Sequence, residues 1–306
     1  MILVAGGSGF IGRAVVRRLR EVGADVAVMT AHPKRSGPVI ERLGARVVRG
    51  DVQDPLSLAA AVAGADAVVQ ALTFPTFPVE KPSRGYTFEE FDHQGTKRLA
   101  AAAARARVGR FVFVSGVGAD PDSPKSRYRA KWHGEEALRA TGISHAVIRP
   151  SWVYGPEDRA LNRFLAFYRW LPFVPVVGTG RQRLQPVLID DVAKVVARAA
   201  EPTGPTGTFE IGGPDVLSMN EILATMMDVM GRRKPLLHFP PFLPRVAGFF
   251  VQVIPGVPLS PAAVDFLTED AVADTGPLLR AFELSPMRFR EGLQTYLPAR
   301  RRSERR

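Results

Sequence analysis

The chain has 306 residues, 46% of them hydrophobic and 23% charged, a globular profile long enough for a nucleotide-binding domain with a smaller appended part. It contains no cysteine, which excludes disulfides, thiol catalysis and thiolate metal sites; its five histidines (His32, His93, His133, His145, His238) lack metal-ligand spacing, so no metal is expected. The net charge is +11, and Arg300, Arg301, Arg302, Arg305 and Arg306 concentrate part of it in a tail over 299–306 that reads as disordered and solubilising, with contact to nucleic acid or anionic lipid as the alternative.

The first strand is Ile2 to Ala5, four apolar residues. Gly6, Gly9 and Gly12 follow at a spacing of three, and an amphipathic helix starts at once, with Ile11, Val15, Val16 and Leu19 on its apolar face. A strand that turns through glycines into a helix N-terminus is a phosphate site. The first glycine permits the turn, the second lets backbone N–H groups approach a pyrophosphate, and the third lets helix and strand pack closely. Gly6, Gly9, Phe10, Ile11 and Gly12 are the candidate pyrophosphate residues. Because this strand opens the sequence, no leader peptide is expected, and the location expected is cytoplasmic or peripheral to the inner face of a membrane.

Further strands are predicted at Asp25–Thr30, Arg46–Arg49, Ala67–Ala71, Arg110–Ser115 and His145–Arg149, with helices at Pro55–Val62, Phe88–Ala106 and Ser126–Thr141. Short apolar strands alternating with helices predict an α/β fold, a doubly wound Rossmann-type parallel sheet with its ligand at the carboxyl ends of the strands. The second strand runs into Ala31-His32-Pro33-Lys34-Arg35, with no acid to hold ribose hydroxyls. Lys34 and Arg35 suit the 2′-phosphate of NADP(H) instead; a solvated basic loop and NAD are the alternatives. Asp51, followed by Val52, is placed to accept a hydrogen bond from an adenine amino group, and Ala71 and Thr73, beyond the fourth strand, line the cofactor.

After Pro150 proline and glycine become frequent. The expected division is a dinucleotide-binding domain over 1–150, a substrate-side lobe over 151–298 partly threaded back into it, and the tail. Helices are predicted at Asp190–Ala200 and Met219–Met230 and a strand at Thr208–Ile211. Asn162–Leu171 reads as an amphipathic helix over the substrate cleft, with nucleic-acid stacking as the weaker alternative. Trp152 and Tyr154 read as pocket wall, with Tyr154 also weighed as a substitute acid. Phe239–Pro261 is apolar and broken by prolines: a lid or pocket wall, or a flap that meets a lipid-like substrate, a membrane or a partner. Its longest uncharged, proline-free run, Val246–Ile254, falls far short of the ~20 residues a spanning helix needs.

These motifs, in this order, together with Phe111-Val112-Phe113-Val114-Ser115, Arg149-Pro150, Asp190-Asp191-Val192-Ala193 and Gly212-Gly213-Pro214, resemble the extended and atypical short-chain dehydrogenase/reductase superfamily. Within its epimerase-like branch the chain is similar to the group containing the accessory subunit of respiratory complex I that carries this fold. The resemblance runs from Met1 to near Leu297 and includes a C-terminal helical segment around Asp265–Tyr296. It implies three catalytic side chains: a hydroxyl after the fifth strand, matched by Ser115; a tyrosine acid or base, for which Tyr128 is the candidate; and a lysine, matched by Lys131, that also holds the nicotinamide ribose. The superfamily separates the tyrosine and lysine by four residues, whereas Tyr128 and Lys131 are three apart. Either Lys131 holds the lysine position, with Arg127 where the tyrosine belongs, or Tyr128 holds the tyrosine position and Trp132 stands for the lysine. The resemblance implies an oxidoreductase or epimerase-like enzyme acting on a small carbonyl or a lipid- or quinone-like substrate. The alternative is a non-catalytic dinucleotide-binding accessory or assembly factor for a membrane respiratory complex or quinone pathway. Nucleic-acid binding rests on net charge alone.

Overall fold

The computed structural model describes residues 1–240 and 269–297. Segments 241–268 and 298–306 lie outside it, and with them most of the proline-broken stretch, the start of the C-terminal helical segment and the arginine-rich tail.

Seven parallel strands form the central sheet: β1 (Ile2–Ala5), β2 (Val26–Thr30), β3 (Arg46–Arg49), β4 (Ala67–Gln70), β5 (Arg110–Val114), β6 (His145–Pro150) and β7 (Gly207–Ile211). Their order is β7-β6-β5-β4-β1-β2-β3, so the winding reverses between β1 and β4, the place where doubly wound sheets bind ligands. The register pairs Ile2 with Ala67 and Ala5 with Gln70, which sets the carboxyl ends of these two strands level. Runs such as Val26-Ala27-Val28-Met29 and Arg110-Phe111-Val112-Phe113-Val114 are buried throughout, as strands covered on both faces must be.

The helices are α1 (Phe10–Glu21), α2 (Pro33–Arg42), α3 (Pro55–Val62), α4 (Thr96–Arg105), α5 (Ser126–Arg139), α6 (Arg159–Trp170), α7 (Ile189–Ala199), α8 (Met219–Val229), α9 (Gly276–Phe282) and α10 (Phe289–Gln294). No helix is expected from the pattern over α2, which holds Gly37 and Pro38 and buries little besides Ile40. The long helix expected over Phe88–Ala106 is divided: Glu89–Gly95 is a π-helical turn that runs into α4. This turn widens where α5 comes closest. A Cβ on Gly134 would stand 2.2 Å from the Asp92 carbonyl oxygen, and one on Gly95 would stand 3.1 Å from the Val52 side chain. The segment expected around Asp265–Tyr296 is broken, in its described part, into α9 and α10, with Glu283 left-handed at φ 50° between them.

The chain separates into two compact units. The first comprises 1–150, 189–211 and 273–285, and so contains the whole sheet together with α1–α5, α7 and α9. Its core gathers Leu3, Leu58, Leu99, Phe111, Phe113 and Leu138, all 0–1% exposed, and α7 packs against α1. Arg110, buried at the start of β5, closes the C-terminus of α7: Nε donates to the Ala199 carbonyl at 2.7 Å and Nη1 to Ser144 Oγ at 2.9 Å. The second unit comprises 151–188, 212–272 and 286–306. Its described part holds α6, α8, α10 and three two-stranded pairings. Tyr154 is fully buried there, edge-on to Phe289 at 4.9 Å, and a Cβ on Gly292 would fall 2.0 Å from its hydroxyl. A phenol enclosed in this way packs a core, which removes the reading of Tyr154 as a substitute acid.

Candidate functional site

The glycine turn joins β1 to α1 at the point where the winding reverses. Gly6 has φ +86°, and a Cβ there would stand 2.4 Å from the Ala71 carbonyl oxygen, so the turn lies directly against the residue that follows β4. A Cβ on Gly12 would stand 2.1 Å from the Gly6 carbonyl oxygen, which is why helix and strand approach so closely. Gly9 is exposed and caps α1 with extended backbone; its N–H donates to the Gly6 carbonyl at 2.9 Å. The amides of Phe10, Ile11 and Gly12 follow, in the first turn, where N–H groups have no acceptor within a helix. No acidic side chain stands in this turn. The helix dipole and these amides form a cradle for an anion, and the smallness of Gly9 keeps its mouth open.

To one side, a cavity of about 590 Å³ is lined by Ala31, His32, Pro33, Lys34, Arg35 and Arg49. Lys34 and Arg35 open α2, and Arg49 ends the neighbouring strand β3. None of these three cations forms an ion pair among the described residues. Arg49 was missed in the sequence, where it stands a full helix away from Lys34; the register of β3 beside β2, with Thr30 opposite Arg49, brings them together. Asp51 lies just beyond. Its Oδ1 accepts the Gln53 amide at 2.9 Å and so shapes the turn after β3. Val52 is buried, and its carbonyl accepts from Arg98 at 3.1 Å. Ala71 is half-buried against Gly6, and Thr73 is exposed. These residues fit a dinucleotide carrying an additional phosphate: amides for the diphosphate, and uncompensated cations for the third anionic group.

At the carboxyl end of β5 the side chains are engaged with one another. The Ser115 hydroxyl donates to Glu135 Oε1 at 2.6 Å. Glu135, on α5, is 0% exposed, and it also receives Arg149 Nε at 2.8 Å, Arg149 Nη2 at 2.7 Å and Arg139 Nη2 at 2.9 Å. This cluster holds the Arg149 guanidinium above its usual range: burial alone would lower it, and the Glu135 and then Glu210 carboxylates outweigh that. Trp132 turns to the same cluster, with the Arg139 and Arg149 guanidinium carbons each 5.7 Å from its ring.

Lys131 extends the other way. Its Nζ donates to Asp92 Oδ1 at 2.9 Å, and a Cβ on Gly116 would lie 3.4 Å from its Cδ and Cε. The residue beside the lysine stem is therefore a glycine without a hydroxyl. Asp92 lies buried in the π-helical turn; burial pushes its carboxyl up, and Lys131 pulls it back in part. Thr96 donates to the Asp92 carbonyl at 2.5 Å and accepts from Gln70 at 2.6 Å, which ties the turn to the end of β4. Tyr128 borders the same loop one step further on: a Cβ on Gly118 would stand 3.0 Å from its Cε1. The Arg127 guanidinium lies 4.5 Å over the Tyr128 ring, with Nη2 3.3 Å from the hydroxyl. Of the two registers open in the sequence, this geometry puts Lys131 at the loop after β5 and turns Trp132 away from it. Among the described residues no group of three His, Cys, Asp or Glu side chains is placed to hold a metal ion, and no helix is long and apolar enough to cross a membrane.

Comparison with known proteins accords with this geometry. A family profile described as NAD(P)H-binding matches residues 6–166. The mitochondrial NADH dehydrogenase [ubiquinone] 1 alpha subcomplex subunit 9 of Arabidopsis thaliana is 32% identical over 234 residues, covering 74% of this chain and 57% of that protein. The chain thus spans little more than half the length of that relative. The ceramide reductase of Caulobacter vibrioides is 29% identical over 244 residues, covering 78% of this chain and 74% of that enzyme. Among solved structures, the NADPH-dependent quinone oxidoreductase of Escherichia coli, complexed with NADPH, superposes with a TM-score of 0.74 over 96% of this chain and 99% of that one; at 16% identity this is a likeness of fold. The chain belongs to the NAD(P)H-binding family, within the extended and atypical short-chain dehydrogenase/reductase superfamily that its motifs resemble.

Proposed function

We propose that this protein holds NADP(H) firmly and transfers hydride poorly or not at all, serving as a dinucleotide-binding accessory or assembly factor for a membrane-associated respiratory or quinone system. Bound NADPH would supply a hydride from its nicotinamide ring. A partner that uses it must also provide a proton and polarise the accepting oxygen. One observation carries the reading: the Ser115 hydroxyl is given to buried Glu135, while the residue alongside Lys131 is Gly116. Arg127, four residues before Lys131, stands where the superfamily has its tyrosine, and a guanidinium does not release its proton near neutral pH. The preference for NADP(H) over NAD(H) rests on Lys34, Arg35 and Arg49. The accessory role is drawn by analogy with the Arabidopsis relative, and a position peripheral to a membrane goes with it.

A second reading, a reductase of a carbonyl or lipid-like substrate, is favoured by the position of Tyr128, which borders the same glycine loop as Lys131. Calorimetry with the four coenzyme forms, followed by NADPH oxidation assays over a panel of carbonyls and quinones, separates the two. The expected result is tight NADPH binding without turnover. Turnover that disappears in Tyr128→Phe would establish the reductase instead.

A further inference from the structure

Helix α6 buries Leu161, Phe164, Leu165 and Tyr168 within its own unit. Its outward residues keep the helical period: Arg159, Arg163, Ala166 and Trp170 fall on one stripe, with Arg169 beside them. The helix contains no acid. Asp158, which caps it, is buried and commits its oxygens to the Ala160 and Leu161 amides at 2.8 and 2.7 Å; Glu157, one residue earlier, is the nearest exposed acid in sequence. Arg159 and Arg163 stand in the first half of the helix, against its dipole. Burial, and then the charge of Arg159, hold the Arg163 guanidinium below its usual range, with the Asp158 carboxylate opposing them in part. An approaching anion relieves this arrangement.

Trp170 ends the stripe. It is 85% exposed, whereas Trp152 is 5% exposed. Lys234 caps the helix beneath it, with Nζ donating to the Tyr168 carbonyl and, at 2.6 Å, to the Leu171 carbonyl, so the indole is presented from a fixed base. Beside it a cavity of about 350 Å³ combines Leu165, Ala166 and Leu297 with Arg169 and Trp170. An indole flanked by arginines on a helix edge is the chemistry of a membrane interface.

We infer that the outer edge of α6 docks on an anionic phospholipid bilayer, with Trp170 at headgroup depth and Arg159, Arg163 and Arg169 on lipid phosphates. This rests on the membrane-peripheral reading above and names the surface responsible. An acidic protein would match the charge. A stable protein interface, however, buries about 800 Å² per side around an apolar centre, and this edge offers one large apolar side chain. A bilayer needs no such centre, because each basic residue near the surface adds its own attraction.

The test is flotation of the full chain with vesicles of phosphatidylcholine plus phosphatidylglycerol, and of phosphatidylcholine alone. Binding to the anionic vesicles, loss of binding in high salt and a blue shift of tryptophan emission are expected. Trp170→Ala should remove the blue shift, and Arg159→Glu with Arg169→Glu should lower partition at least about tenfold. Replacing the five terminal arginines by glutamine should leave most of the binding in place. Unchanged partition in the α6 variants, or loss confined to the tail variant, would overturn the assignment while leaving the membrane reading intact. Failure of the parent chain to bind any vesicle would overturn both. Binding to polyglutamate but not to vesicles, dependent on Trp170, would point to the acidic protein partner and overturn the bilayer. NADPH affinity is measured on each variant and is expected to be unchanged, which keeps this outcome separate from the cofactor reading.

Discussion

The carboxyl edge of the sheet has two halves that treat their polar groups in opposite ways. Around β1, β2 and β3, donors stand idle: the first amides of α1 have no helical acceptor, and Lys34, Arg35 and Arg49 line a cavity with no carboxylate paired to them among the described residues. Around β5 and β6, two of the three groups that the superfamily's chemistry would use are occupied by a neighbour. Ser115 is bound to Glu135, Lys131 to Asp92, and Arg149 closes the cluster. Water meets the exposed cations of the first half and can give way to a ligand phosphate, whereas donors spent internally hold the fold together. On the reading proposed above, the first half is open to a ligand, while the second is closed on itself.

The sharpest way to break this contrast is Glu135→Ala. Removing Glu135 takes both short hydrogen bonds from the half-buried Arg149 and leaves it only Glu210 at 3.8 Å, for which a loss of about 3 kcal/mol is expected in urea or guanidinium unfolding. NADPH affinity of the folded protein should barely change. If affinity falls while stability holds, the second half is part of the ligand site and the contrast fails.

Next in size is the triple substitution of Lys34, Arg35 and Arg49 by alanine. Charge-assisted hydrogen bonds contribute about 1.5–3 kcal/mol, so NADPH affinity should fall at least about tenfold while NADH affinity stays the same. These exposed positions should shift stability by no more than ~0.5 kcal/mol. An unchanged NADPH to NADH ratio in calorimetry would leave the cavity without a function. Gly9→Val should follow. Gly9 has φ −80°, which valine adopts, and a Cβ there meets little besides the Gly6 carbonyl at 3.2 Å. Its methyl groups would instead crowd the mouth of the cradle. A fall in NADPH affinity of about tenfold, ~1.4 kcal/mol, is expected with a small change in melting temperature. The reverse pattern would mean that the turn is purely structural.

The two halves also differ in how far they could be read from the sequence. The glycine turn was legible because its constraints are local: a positive φ at Gly6, no room at Gly12 and a helix immediately after. The strands were legible for a similar reason, since each is a short apolar run. The second half depends on partners remote in sequence. Nothing in the spacing of Ser115, Tyr128 and Lys131 shows that Glu135 will reach across to Arg149. A signal was nonetheless present. Arg149 ends the apolar run Ala146-Val147-Ile148, and a charge in such a place must find a counter-charge. Asking where Arg149 finds its carboxylate would have drawn attention to Glu135, and from there to Ser115. Arg49 and α2 escaped because sheet register and tertiary packing, not pattern, place them.

The smallest expected effect is a pH dependence that tests how closed the second half is. Burial raises the Asp92 carboxyl above its usual value, although Lys131 opposes this. An acid raised in the folded state stabilises the protein below its unfolded pKa of about 4, and that contribution is lost as pH climbs through the folded value. Asp92→Asn has no such term. The stability of the variant relative to the parent should therefore grow from pH ~4 upward, with a slope of at most ~1.4 kcal/mol per unit, and level off above the folded pKa. Unfolding midpoints measured across this range decide the sign. A relative stability that instead declines over the same interval would mean that Lys131 dominates and Asp92 is held ionised. The pair would then be a fixed ion bridge, and Lys131 would be less available still to a cofactor ribose.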